Sequence, residues 1–323
     1  MKKLEIYFKS LLLFSFLIVL LVVNSCVPNF VRGSWKEISP LPTARSYLTA
    51  SFLDGKIYAI GGSVYVVARP VIDVYDIEKE TWVESYPLPV FRTGHAAVVY
   101  KNEIWLIGGL GTPLIHNSVV SFDPVKKIWT DRPNLPYRLD YPAAEVVGGK
   151  IYVIGGRDPA TGSMPTPHTL EYNQEIDIWI EKTPMLFPRS QHETAAINGK
   201  IYVFGGRSVT GGECIQEVEM YDPQNDRWEI VTSMPYARRY HEVITFQDSI
   251  VIIGGQNNYS STNFASVSIY FPDDDKWIEA EELLNNERMN FGCVTDGERI
   301  YVFGGSISKD KATTSDNSEV FSF

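Results

Sequence analysis

A pair of adjacent glycines closes a short apolar run six times in this chain, at Gly61-Gly62, Gly108-Gly109, Gly155-Gly156, Gly205-Gly206, Gly254-Gly255 and Gly304-Gly305. The first glycines are 47, 47, 50, 49 and 50 residues apart. A period this constant marks a repeat architecture, in which no unit can bury its apolar face alone and neighbours must stack. That excludes most folds before composition is considered.

Each glycine pair ends a short apolar run, as in Ile57-Tyr58-Ala59-Ile60 and Ile201-Tyr202-Val203-Phe204. Such runs of β-branched and aromatic residues between turn residues read as buried strands. Asp54-Gly55, Gly148-Gly149 and Asn198-Gly199 stand just before three of them. These pairs favour the primed turns whose twist matches paired strands. A second apolar run, such as Ala96 to Tyr100, precedes each turn. An aromatic follows each first glycine at 14 to 17 residues: Tyr75, Phe122, Tyr172, Tyr221, Tyr270 and Phe321. Five of those aromatics are followed seven residues later by Trp82, Trp129, Trp179, Trp228 or Trp277. Every unit is therefore four antiparallel strands, here named A to D, with the glycine pair closing B, the aromatic on C and the tryptophan on D.

The sixth unit stops short of its tryptophan. A surplus one, Trp35, lies 47 residues before Trp82. A strand around Trp35 is expected to complete the last unit and close the ring, leaving no free edge between first and last units. The succession from Gly199 to Trp228 holds a Gly-Lys-Ile-Tyr strand, Gly-Gly, Tyr-Asp-Pro and tryptophan. It resembles the kelch family, and the likeness covers residues 35–323. The resemblance implies an all-β, six-bladed kelch β-propeller that serves as a binding platform, with the last blade closed by the N-terminal strand.

Residues 1–25 have the features of a signal peptide. Lys2, Lys3 and Lys9 give a basic start, and Leu11 to Val23 is a 13-residue apolar run, shorter than the roughly 20 residues a spanning helix needs. Val23-Asn24-Ser25-Cys26 is similar to a bacterial lipoprotein cleavage box. Cys26 is the expected lipidation site and 26–34 a tether; a signal anchor or plain secretion are the alternatives. Each places the propeller outside the cytoplasm. Cys214 and Cys293 fall two blades apart and offer no disulfide framework.

The net charge is −10, and −12 once three lysines and one glutamate are removed with residues 1–25. That argues against nucleic acid as partner. No nucleotide-binding or zinc-protease motif is present. No cofactor is expected, and a monomer is.

An antiparallel meander puts the D–A and B–C connections on one face and the A–B and C–D turns on the other. Length variation falls in the B–C connections, so the D–A/B–C rim is the expected ligand face. Arg45, Arg92, Arg189, Arg238 and Arg288 stand 16 residues before their glycine and Arg138 stands 17 before. A residue repeated in every unit suggests a structural tie. His95, His192 and His241 share one phase, 13 before the glycine. They suit repeated polar contacts better than a metal, and no metal site is expected.

Residues that break the repeat are more informative. Arg157 and Arg207 follow glycine pairs where other blades have Ser63, Leu110, Gln256 and Ser306. With Arg239, Tyr141, Tyr240, Gln191, Gln256 and Asn257 they are candidates for a pocket that takes a protein, peptide or anionic glycan. A second reading, by fold analogy with sialic-acid mutarotases, is a sugar-acid enzyme using Glu193 or Glu242 beside His192 or His241.

Overall fold

A computed structural model describes residues 33–64, 67–111, 115–209, 211–257, 263–280, 283–307 and 313–322. The signal-peptide and Cys26 expectations fall on residues outside these. Six four-stranded antiparallel sheets follow one another around a ring. Blade 1 is Thr49–Leu53, Lys56–Ile60, Val71–Asp76 and Thr81–Pro87, as strands A to D. Blade 2 is Ala96–Tyr100, Glu103–Ile107, Val119–Asp123 and Ile128–Arg132. Blade 3 is Ala143–Val147, Lys150–Ile154, Thr169–Asn173 and Ile178–Glu181. Blade 4 is Glu193–Ile197, Lys200–Phe204, Glu217–Asp222 and Arg227–Ser233. Blade 5 is Glu242–Phe246, Ser249–Ile253, Val267–Phe271 and Lys276–Glu279. Blade 6 takes A to C from Gly292–Thr295, Ile300–Phe303 and Ser318–Ser322, and its D strand from Ser34–Ile38.

The closure expected from the missing tryptophan is present. Ser34–Ile38 pairs antiparallel with Ser318–Ser322, and Trp35 stands opposite Phe321. The same cross-strand pair occurs in other blades as Tyr75 opposite Trp82 and Tyr221 opposite Trp228. Ring centroids are 5.3 Å apart for Trp35–Phe321 and 4.9 Å for Tyr221–Trp228, the range in which aromatic pairs attract beyond their buried area. Most of these tryptophans also reach to the preceding blade: Trp179 Nε1 donates to the Pro133 carbonyl at 2.8 Å and Trp228 Nε1 to that of Thr183 at 2.9 Å.

The core is six cores. Each apolar cluster joins two adjacent blades, such as Ile201, Val203 and Tyr221 of blade 4 against Tyr152 and Ile154 of blade 3. Because every interface has two partners, the ring is stable only when closed.

The glycine pairs explain themselves at these interfaces. The first glycine sits at φ +60 to +64°. A Cβ on Gly205 would lie 2.3 Å from the Arg238 carbonyl oxygen of the next blade. The second glycine donates its N–H to that same carbonyl: Gly62 to Arg92 at 3.1 Å, Gly109 to Leu139 at 2.7 Å, Gly156 to Arg189 at 3.0 Å, and Gly206 to Arg238, Gly255 to Arg288 and Gly305 to Arg45, each at 2.9 Å. Only a residue without a side chain permits this approach at this φ. The last of these bonds runs from blade 6 to blade 1.

Trp35→Ala should lower stability by about 3–5 kcal/mol, as large aromatic truncations in a core do. Thermal unfolding of the variant checks this. An unchanged melting temperature would mean that the N-terminal strand does not close the ring.

Candidate functional site

The channel is built from the segments that enter strand A. Counted back from the first glycine of each pair, residue 14 is Tyr47, Gly94, Tyr141, Gln191, Tyr240 and Asn290 in blades 1 to 6. All six lie at positive φ, between 50° and 59°, a conformation that strains any residue but glycine. A second hydrogen-bonded belt holds them there. Tyr47 N–H donates to Asn290 O at 2.7 Å, Gly94 to Tyr47 at 3.3 Å, Tyr141 to Gly94 at 2.8 Å, Tyr240 to Gln191 at 3.1 Å and Asn290 to Tyr240 at 3.0 Å. Side chains at this turn therefore converge on the axis.

Three of them are tyrosines on alternate blades, and they meet. Ring centroids are 6.0 Å apart for Tyr47–Tyr141, 6.1 Å for Tyr47–Tyr240 and 5.9 Å for Tyr141–Tyr240, with edge-on geometry throughout. The triangle forms the throat of the channel. Burial pushes the Tyr240 hydroxyl up to about 12, with Tyr47 adding to the rise while Arg239, Arg157 and Arg207 oppose it. All three guanidiniums thus bear on one tyrosine.

They are not equivalent. Arg157 donates from Nε to Asp140 Oδ1 at 3.0 Å and from Nη2 to Oδ2 at 2.5 Å, and lies 5.1 Å from the Tyr141 ring centre. Burial works against its charge, but the bonds to Asp140 outweigh it and the pKa rises. Its charge is thereby spent inside the protein. Arg239 stacks 5.2 Å above the Tyr240 ring. Among the described residues neither Arg239 nor Arg207 has a carboxylate partner. The rim therefore offers two uncompensated guanidiniums beside Tyr240.

Gln191 and Asn290 are both more than nine-tenths buried at the throat, and Gln191 Oε1 and Asn290 Nδ2 have no hydrogen-bond partner. Gln256 pairs its main chain with Arg239 in both directions, at 2.9 and 3.0 Å. Asn257 begins the following B–C connection, half-buried. The structure thus gathers Arg157, Arg207, Arg239, Tyr141, Tyr240 and Gln191 around one opening, with Gln256 and Asn257 at its blade 5 edge. Sequence reasoning missed Tyr47, Gly94 and Asn290, although their shared phase was available to be counted.

The repeated arginines are structural. Arg45, Arg92, Arg189, Arg238 and Arg288 are at most 1% exposed. Arg92 Nη1 donates to Gly108 O at 2.7 Å, and Arg189 donates to Gly205 O at 3.1 Å and to Glu219 at 2.6 Å. These side chains tie the D–A loop to the B–C end of the same blade, while the main-chain carbonyl makes the link between blades. Arg138 is not part of this set: it is exposed, and Leu139 takes the buried position one residue later. The histidines pack against the glycine pairs. A Cβ on Gly206 would lie 2.7 Å from His192 Cβ, and one on Gly255 2.7 Å from His241 Cβ. Burial holds His95 and His192 down to about 3, so both are neutral. Among the described residues no three His, Cys, Asp or Glu side chains stand close enough to hold a metal. No disulfide joins Cys214 and Cys293.

Below the tyrosines the channel turns acidic. Glu145, Glu193 and Glu242, from the A strands of blades 3, 4 and 5, line a cavity of about 130 Å3 with Thr49, His95 and Cys293. That is room for several waters. The carboxyls lie deep within the ring yet face this open space. Glu145 accepts from Thr194 Oγ1 at 3.2 Å. Burial raises Glu145 to about 8; for Glu193, also about 8, burial acts with the Glu145 charge. Glu242 rises well above its usual range through burial and Glu193. Among the described residues no hydrogen bond joins Glu193 or Glu242 to a histidine, and nothing in this geometry supports the sugar-acid enzyme.

Since folding favours the protonated form of these carboxyls, their contribution to stability is full below about pH 4.5, where the unfolded chain is protonated too. It falls as pH rises from there to about 8. Glu145→Gln should therefore raise the melting temperature at pH 8, leave it nearly unchanged at pH 4 and flatten the profile between. A fall at pH 8 would show that the carboxylate is needed in its charged form.

Comparison with known proteins agrees with this architecture. The family model described as the KLHDC2/KLHL20/DRC7 Kelch-repeats domain matches residues 94–305, and the Kelch motif matches residues 44–85. Among curated proteins the search found no match.

Proposed function

The chain belongs to the kelch-repeat family, whose propellers typically serve in protein interaction, and we propose that it is an extracytoplasmic, lipid-anchored module that binds an acidic partner segment on its D–A/B–C face. The observation that carries this is the pairing pattern of the rim. Of three guanidiniums around Tyr240, Asp140 neutralises Arg157, and Arg207 and Arg239 keep their charge for a ligand. A guanidinium is more weakly hydrated than an ammonium and forks onto a carboxylate through two parallel hydrogen bonds.

The surrounding surface suits a protein partner. Leu186 and Tyr236 are 52% and 50% exposed, and Phe187, Val90, Leu283 and Val209 are also exposed. All lie in D–A or B–C connections of the same face. Exposed apolar and aromatic side chains around fixed arginines have the composition of interface cores. A carboxylated glycan would satisfy the arginines and leave this apolar rim unused, which favours a peptide segment. The proposed location rests on the basic start, the apolar run and Ser25-Cys26.

Titration of acidic peptides carrying one apolar flank tests the site. A hydrogen bond to a charged group contributes about 1.5–3 kcal/mol, so Arg207→Ala and Arg239→Ala should each weaken binding tenfold or more with folding intact. Arg157→Ala should instead lower stability, because it strands the buried Asp140 carboxylate. Equal binding by wild type and the Arg207→Ala/Arg239→Ala double variant would refute the assignment. Tighter binding of sialic acid than of any peptide would move the reading to glycans. Mass spectrometry of the native N-terminus should find a lipidated Cys26; a chain that retains Met1 would rule the lipid anchor out.

A further inference from the structure

We infer that the opposite face, formed by the A–B and C–D turns, lies against a lipid bilayer through the C–D turns of blades 2 and 3, so that the ligand face points away from the membrane. The inference rests on the proposed anchoring of the chain, and it adds an orientation and a contact surface.

Two independent features of the fold converge on it. The first is where the chain enters the ring. Strand D of any blade starts at its C–D turn and climbs to the D–A loop. In blade 6 that strand is Ser34–Ile38, and Ser34 pairs with Ser322, the last residue of strand C. The segment before Gly33 therefore reaches the propeller on the A–B/C–D face. Six residues would separate a lipidated Cys26 from Gly33, a reach of roughly 25 Å even at full extension. An anchor that short cannot carry the chain around to the other face.

The second feature is the pattern of exposed apolar side chains on that face. Val125 is 82% exposed and Ile176 60%. They occupy the C–D turns of the neighbouring blades 2 and 3, and exposed Ile128 and Ile178 open the strands that follow. Equivalent turn residues elsewhere are polar, as in Glu78-Lys79-Glu80, Gln224-Asn225 and Asp273-Asp274-Asp275. The repeat does not require apolar residues here. Exposed Lys101, Lys126 and Lys127 surround Val125, with Lys126 bridged to Asp123 at 2.8 Å and Lys127 to Glu84 at 2.9 Å, and exposed Glu175 and Asp177 flank Ile176, so the tips sit among charges of both signs. Exposed apolar tips on the face where the tether enters suit the headgroup boundary of a bilayer.

The test uses the full chain, with its own N-terminal segment, reconstituted into 3:1 phosphatidylcholine–phosphatidylglycerol vesicles. A fluorophore is placed at Val125→Cys or Ile176→Cys, and on the other face at Leu186→Cys or Tyr236→Cys, in a Cys214→Ser background. Lipids carrying a spin label then quench whatever lies at the bilayer. Quenching at 125 and 176 severalfold above that at 186 and 236 is expected. Equal or reversed quenching overturns the orientation. Vesicles that carry the chain on flotation without quenching at 125 and 176 overturn the contact while leaving the anchor standing. A chain that does not float overturns anchoring and orientation together, but not ligand binding, which is read separately in solution. If the tips are shielded because two copies associate, sedimentation will show a dimer, and the lipid contact is then wrong.

Discussion

The structure depends on one main-chain hydrogen bond made six times. The second glycine of each pair gives its N–H to a carbonyl of the next blade, and the sixth bond, from Gly305 to Arg45, returns to the first. A side chain at the first glycine would collide with that carbonyl, so both glycines are required, for different reasons. Through this bond the segment entering strand A is fixed on its outer side. The belt at Tyr47, Gly94, Tyr141, Gln191, Tyr240 and Asn290 fixes its inner side. The strained turn between the two belts aims three tyrosines at the axis. Position within the repeat therefore decides which residues become functional, and the scaffold leaves their identity free.

That freedom is used asymmetrically. At equivalent positions the blades carry serine, leucine, arginine or glutamine after the glycine pair, and threonine, alanine, glycine or glutamate at the head of strand A. Blades 3 to 5 collect the exceptions: Arg157 and Arg207 after the glycine pair, joined above the tyrosines by Arg239 of the D–A loop, and Glu193 and Glu242 at the strand head, joined below by Glu145 two residues into its own strand. Guanidiniums and carboxyls are stacked along one side of the channel and separated by aromatic rings. The upper layer meets solvent and is suited to a partner. The lower layer faces a small cavity without a cation partner for Glu193 or Glu242 among the described residues, and burial shifts its carboxyls towards the protonated form.

Much of this was legible in the sequence because the fold is written as a period. The glycine pairs, the aromatic of strand C and the tryptophan of strand D gave blade number, strand order and closure by Trp35, since each has a geometric duty that few residues can perform. The repeated arginines and histidines were legible as structure for the same reason. What escaped notice was of a different kind. Whether Arg157 is free depends on Asp140 17 residues before it, and that contact follows from a bridge between loops rather than from any pattern. Arg138 sat one residue out of phase, and a single step moves a side chain from the blade interior to the rim. Tyr47 and Asn290 went unremarked because a ring of six unlike residues has no signature in composition. Glu193 and Glu242 were noted only beside the histidines, and Glu145 was missed because a lone glutamate within a strand looks like any solvated one.

Closure by the N-terminal strand is the claim on which the placement of both faces rests, and amide hydrogen exchange of the native protein tests it most directly. If the ring is closed as described, the amides of Gly62, Gly109, Gly156, Gly206, Gly255 and Gly305 should exchange only with global unfolding, and at one common rate. The amide of Gly305, together with those of Ser34–Ile38 that pair with strand C, would then be as protected as the rest. Exchange at Gly305 and at Ser34–Ile38 faster by orders of magnitude than at the other five glycines would show an open ring.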